Sequence, residues 1–289
     1  MTRSDLDRHL QSVRRDGFTV LRGLTRAHVQ GWRAAILDRY GTDRKSPMDL
    51  LAERPELVLP YVTHPDLLDL LEGLMGPFVG LAGSGALVEP SCAEDRARRE
   101  RVWHRDMWPL PGWTDDYLPP DGVNVLTYLQ GGEAAGPLRV LPGSHRGRRG
   151  IPDDAVQQPH PDELAVRVEP GDTVAVHSCT LHSGAGNFSG AERILVYAFF
   201  TKCWLPTEGD HDNAAIRRLL DDARRRNDRR VVRLFAPDRA ELIDRAKQFH
   251  AHRPDGCSIS QEEMWRRWIA EDRAALNAAA AMIESGSTR

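Results

Sequence analysis

Between Val102 and Phe200 the chain is cut by glycine and proline into short apolar runs, and this punctuation constrains the fold more than any other feature. VNVLTYL (123–129), PLRVL (137–141), LAVRVE (164–169), DTVAVH (172–177) and RILVYAFF (193–200) are rich in β-branched and aromatic residues, as strands are. Gly131-Gly132, Pro142-Gly143, Pro170-Gly171 and the SGAG at 183–186 supply turns between them. Helices would not tolerate such interruptions, so the spacing predicts an antiparallel sandwich or barrel.

Helical periodicity flanks this region. Leu6, Leu10 and Val13 share a helix face that Gly17 ends, Phe18 to Leu21 read as a short strand, and Thr25 is placed to cap a second helix through Val29, Trp32, Ile36 and Tyr40. Residues 67–74 read as helix, followed by a glycine-rich apolar piece able to pair as strands. Beyond Pro206, helices are expected at 215–226 and 239–251, and again after a Ser260/Glu263 capping-box pattern. The expectation is one domain over 1–289. Its β core spans about 102–204, with a helical N-terminal part at 1–101 and a helical C-terminal part at 205–289.

Composition narrows the partners. A formal net charge of -3 offers no electrostatic footprint for nucleic acid or an anionic membrane. No run of about 20 apolar residues is present to span a bilayer, and MTRSDLDRHL does not read as a signal peptide. Cys92, Cys179, Cys203 and Cys257 are scattered, with no C-x-x-C pair, which fits free thiols in a reducing cytoplasm. A small molecule is therefore the expected partner.

The chemistry gathers in VWHRDMW. Residues i and i+2 of an extended chain project from one side, so His104 and Asp106 can reach one ion. An isolated H-x-D is weak, and its bland reading is a surface histidine beside a solvated aspartate. A third donor changes the odds. His182 precedes a glycine-rich turn and Arg193 opens the next strand, an apparent hairpin that would bring both to one barrel mouth. Two imidazoles and a carboxylate form the facial set that leaves iron positions open, and a guanidinium offers a planar fork for a carboxylate. His177 and His145 compete for the third place, but only His182 is tied to both the turn and the arginine.

At these residues the chain resembles the phytanoyl-CoA dioxygenase family of iron(II)- and 2-oxoglutarate-dependent oxygenases. RRDGFTVLRGL, then WHRD with VNVLTYLQGGEAAGPLRVLPGSHRG, then GDTVAVHSCTLHSGAGNFSGAERI match in order, covering 10–40 and 102–200. The arginine eleven residues past the distal histidine has the family's spacing. The resemblance implies a double-stranded β-helix, a cupin-like jelly roll with flanking helices. It implies that His104, Asp106 and His182 ligate Fe(II), that Arg193 anchors 2-oxoglutarate, and that O2 is the second cosubstrate. Asn124 and Ser183 are candidates to hydrogen-bond 2-oxoglutarate. Ala135 departs from the family's asparagine before Gly-Pro-Leu. Asp106 occupies the position that related halogenases leave to chloride.

The expected reaction is therefore hydroxylation of a small molecule, with release of succinate and carbon dioxide. Epimerisation, desaturation and oxidative cyclisation on the same core remain alternatives, as does a non-catalytic cupin-like binding protein. Trp108, Trp113 and Tyr117, in the loop rooted at the ligands, are candidates to contact substrate. The only lysines are Lys45, Lys202 and Lys247. That arginine bias, with the family, points to secondary-metabolite biosynthesis in a bacterium.

Overall fold

The structure is a computed structural model that describes residues 1–40, 48–107, 116–147, 150–152, 155–205, 212–251 and 260–285. Its strands are β1 (Phe18–Leu21), β2 (Met48–Asp49), β3 (Val79–Glu89), β4 (Gly122–Tyr128), β5 (Leu138–Val140), β6 (Leu164–Ala165), β7 (Thr173–His177), β8 (His182–Gly184) and β9 (Arg193–Lys202). Six form an antiparallel sheet in the order β1-β7-β4-β9-β3-β2, and three form a second sheet, β6-β5-β8. Paired 3.0 Å hydrogen bonds between the main chains of His104 and His182 lay the segment at 104 along β8.

From β3 onward the chain alternates between the sheets. It runs β3, the segment at 104, β4, then β5 and β6, then β7, β8 and β9. This winding is a double-stranded β-helix. The predicted jelly roll is thus present, but two expectations need correction. The sheet includes β1 and β3, so the β core reaches well before residue 102. Moreover, β7 and β9 do not form a hairpin: β8 crosses to the other sheet, and β4 lies between β7 and β9.

Strand alternation sorts the two cores. One face of the large sheet presents Val123, Val125, Ile194, Val196, Ala198 and Phe200 to a helical layer. The other presents Leu126, Tyr128, Val174 and Val176 to Leu138, Val140, Val166 and Val168 of the facing sheet. Both faces of β4 and β9 are covered, which is why these strands read as nearly continuous apolar runs. Each fully buried large aliphatic side chain contributes about 2 kcal/mol, and this double burial anchors the sheet.

The helices are α1 (Arg3–Asp16), α2 (Val29–Tyr40), α3 (Leu50–Glu53), α4 (Pro55–Val62), α5 (Pro65–Met75), α6 (Glu94–Arg99), α7 (Ala214–Arg225), α8 (Arg229–Phe235), α9 (Arg239–Ala251) and α10 (Gln261–Glu284). Gly17 ends α1 at φ 86°, a left-handed conformation, and turns the chain directly into β1. A Cβ there would lie 2.3 Å from Thr180 Oγ1, so glycine is required twice over. Thr25 does not cap α2: its hydroxyl donates instead to the Gly171 carbonyl, and a short 3₁₀ turn intervenes. Ser260 does cap α10 by accepting from Glu263 N–H.

Candidate metal centre

His104, Asp106 and His182 meet at one end of the jelly roll. One ligand atom from each lies within 4.8 Å of the other two. Asp106 Oδ1 is 3.9 Å from His104 Nε2 and 3.7 Å from His182 Nε2. Alternation turns Arg105 the other way, where its buried guanidinium donates to the carbonyls of Ser144 and Cys179 at 3.1 and 2.6 Å.

Backbone carbonyls orient both rings. His104 Nδ1 is 2.8 Å from the Val102 carbonyl, and His182 Nδ1 is 2.9 Å from the Thr180 carbonyl. A carbonyl only accepts, so each Nδ1 carries the proton and each Nε2 turns a lone pair toward Asp106. Burial lowers the His182 pKa while Asp106 acts against that shift. The remaining Asp106 oxygen, Oδ2, accepts from Asn124 Nδ2 at 3.3 Å, leaving Oδ1 between the imidazoles. Neutral nitrogens and one oriented carboxylate are the donor chemistry a divalent iron site requires. His182 is buried, whereas the His104 side chain is half-exposed, so the centre opens on the His104 side.

The rival histidines are elsewhere. His177 shares its face of β7 with Ala175, which packs on the helical layer, and so points away from Asp106. It accepts from Cys179 N–H at 3.1 Å and reaches the Leu118 carbonyl at 3.1 Å. The His145 ring lies 5.0 Å from it. Tyr117 packs edge-on against both, at 6.0 and 6.2 Å, beneath Arg14. These contacts pack the Tyr117 ring against both histidines. Trp108 and Trp113 lie outside the described residues.

The cosubstrate candidates separate as well. Arg193 lies on the inner face of β9 with Leu195 and Tyr197, and is only 9 % exposed. Its guanidinium sits beside Gly184, two residues past His182 on the same face, roughly 7 Å along the strand. It donates to the Gly136 and Ala185 carbonyls and pairs with Glu89, its cross-strand neighbour on β3. Gly136 must lack a side chain, since a Cβ would lie 2.7 Å from Arg193 Nη1. Ser183 alternates to the outer face opposite Arg139, accepts from Val102 N–H and donates to the Gly184 carbonyl. Its hydroxyl is spent on main-chain groups of the strand pair. Asn124 likewise spends an amide hydrogen on Asp106, which makes it a support for the carboxylate. Glu89 was invisible as a site residue in sequence, because only its pairing with Arg193 distinguishes it from any strand-end glutamate.

A double-stranded β-helix with two histidines and one aspartate converging at its mouth defines the class of mononuclear non-haem iron oxygenases. Residues 62–195 match the family model described as Phytanoyl-CoA dioxygenase (PhyH). No curated protein matches the chain. Among solved structures it is similar to HygX from Streptomyces hygroscopicus with nickel and 2-oxoglutarate bound, at TM-score 0.57 and 16% identity over 74% of this chain and 93% of that one. It is similar to the epimerase SnoN in complex with Fe3+, alpha ketoglutarate and nogalamycin RO, at 0.54 and 18% over 70% and 85%. AviO1 from Streptomyces viridochromogenes Tue57 gives 0.52 and 19% over 71% and 99%. At these identities the likeness is one of fold.

Proposed function

We propose that this chain is an iron(II)- and 2-oxoglutarate-dependent dioxygenase that hydroxylates a small molecule of secondary metabolism, with His104, Asp106 and His182 as the metal ligands. The observation that carries this reading is the converging set of two Nε2 atoms and Asp106 Oδ1, each side chain steered by its own hydrogen bond. Bound iron(II) would supply the redox chemistry that couples dioxygen and 2-oxoglutarate to substrate oxidation, with succinate and carbon dioxide as co-products.

The chain's own groups do the positioning. His104 and His182 bind as neutral donors, so the Asp106 charge is the protein's contribution to balancing the metal. Arg193 stands within reach of a five-carbon diacid held at the metal, and its charge on a buried side chain selects for a distal carboxylate. Leu195 and Tyr197 share that inner face and pack against the apolar interior between the sheets. The small-molecule assignment is supported by the fold shared with HygX, solved with hygromycin B, and SnoN, solved with nogalamycin RO. Free Cys92, Cys179 and Cys203 fit a cytoplasmic enzyme, and among the described residues no helix is long and apolar enough to cross a membrane.

Anaerobic addition of iron(II) and 2-oxoglutarate to metal-free protein tests the reading. A weak visible charge-transfer band should appear only with both, and should be lost in Asp106→Ala. No band in the unsubstituted protein would leave a cupin-like binding module as the better account. Product analysis with a turned-over substrate separates hydroxylation from epimerisation, desaturation or cyclisation, which differ in substrate placement on the same core.

A further inference from the structure

We propose that Glu89 is a resident carboxylate on the cosubstrate arginine, occupying the donor that an incoming diacid needs and so lowering the affinity for 2-oxoglutarate. The inference rests on the function proposed above, and adds to it a side chain that sets cosubstrate affinity by competition.

Donor counting comes first. A guanidinium offers five N–H groups: two on Nη1, two on Nη2 and one on Nε. Both Nη1 hydrogens of Arg193 have a carbonyl acceptor, Gly136 on one side and Ala185 on the other. A ligand carboxylate is therefore left the Nη2/Nε edge, and Nη2 is the atom that Glu89 Oε2 holds. Glu89 thus holds one of the three remaining N–H groups, on the atom that a bidentate grip on a diacid would share with Nε.

The two partners differ in freedom. The Arg193 side chain is only 10 % exposed and fixed by two main-chain groups, whereas Glu89 is 43 % exposed at the end of β3. Burial brings the Arg193 pKa down to about 10, which leaves the charge present at neutral pH. A buried cation with no partner is costly, so Glu89 satisfies it until a better anion arrives. When the diacid binds, Glu89 can move outward into water, where a carboxylate is well solvated. Each binding event must then displace one carboxylate from the guanidinium and tolerate its charge nearby.

The pairing is set by register. Glu89 lies directly opposite Arg193 in the β3–β9 ladder, one step beyond Val88 and Ile194. Period-two alternation places Arg193 on the inner face with Leu195, so its cross-strand partner must also project toward the cosubstrate edge.

The test is direct binding of 2-oxoglutarate to protein loaded with manganese(II) under nitrogen, and of succinate to metal-free protein, both by calorimetry. Glu89→Gln removes the charge while keeping the shape, and should bind both diacids roughly tenfold tighter. Glu89→Asp retains a shortened carboxylate and should fall between Glu89→Gln and the unsubstituted protein. Unchanged or weaker binding by Glu89→Gln, with 2-oxoglutarate still binding the unsubstituted protein, overturns the competitor role alone; Glu89 would then orient Arg193. Failure of every manganese-loaded form to bind 2-oxoglutarate overturns the dioxygenase reading and this proposal with it. Circular dichroism of Glu89→Gln checks that the fold is intact.

Discussion

Asn124 shows how a single side chain's chemistry depends on which donor it spends. Its amide hydrogen goes to Asp106 Oδ2, and its own Oδ1 is buried with no protein partner. Replacing it by alanine leaves the carboxylate free to rotate and should weaken metal affinity about ten- to a hundredfold, as loss of a ligand's orienting partner does. Competition with a chelator measures this, and equal affinity in Asn124→Ala would remove the residue from the metal site. His104 and Asp106 were legible as a pair because period two is a local rule. The roles of Asn124 and Ser183 were not, because a hydrogen-bond partner from another strand decides each. For Ser183 the partner is Val102 N–H at 2.8 Å, on the side of the strand away from His182.

At the scale of elements, His177 at the end of β7 and His145 in the turn after β5 form a second histidine cluster. His177 is satisfied as a neutral ring: Nδ1 accepts from Cys179 and Nε2–H donates to the Leu118 carbonyl. His145 donates from Nε2 to the Arg14 carbonyl, and its Nδ1 is buried without a partner. Burial pushes both down to about 4 from an ordinary 6.5, and the approach of His177 adds to the shift at His145. Between those values the unfolded chain binds more protons than the folded one. Stability is therefore fully present above pH 6.5 and falls as pH drops toward 4. Urea unfolding from pH 7.5 to 4.5 should show the loss, on the order of a few kcal/mol for the pair. A His145→Gln, His177→Gln variant should be flatter; an identical slope would assign the acid sensitivity elsewhere. The short strands themselves were readable from alternation, but the crossing at β8 was not. A glycine-rich turn between two apolar runs looks the same whether the chain returns to the same sheet or passes to the opposite one.

At the scale of the whole molecule, the C-terminal helices are tied to one another by buried charge. Arg233 of α8 and Asp272 of α10 are each about 1 % exposed and 2.5 Å apart, and Arg245 of α9 joins the same carboxylate at 2.6 Å. Asp272→Ala removes the buried carboxylate that Arg233 and Arg245 share and leaves Glu241 as their common partner, and should cost about 3 kcal/mol. The paired replacement Arg233→Met, Asp272→Leu should recover much of that loss, and a destabilisation below 1 kcal/mol in Asp272→Ala would show the network to be dispensable. None of this pairing was visible in a sequence whose arginines number in the dozens, since any of them could have been a solvated surface charge. Arg96, Arg98 and Arg99 are such charges, each exposed and paired four residues away on α6.

What the sequence determined by itself was everything that depends on neighbours along the chain. Strand alternation placed His104 beside Asp106, glycine at 17 ended a helix, and the short apolar runs set an antiparallel sandwich or barrel. The tertiary structure alone decided which strands are neighbours, that Asn124 reaches Asp106, and that Glu89 reaches Arg193. Those outcomes depend on pairing across sheets, where contacts join residues far apart in the chain and the free energy of packing, not local propensity, selects the arrangement.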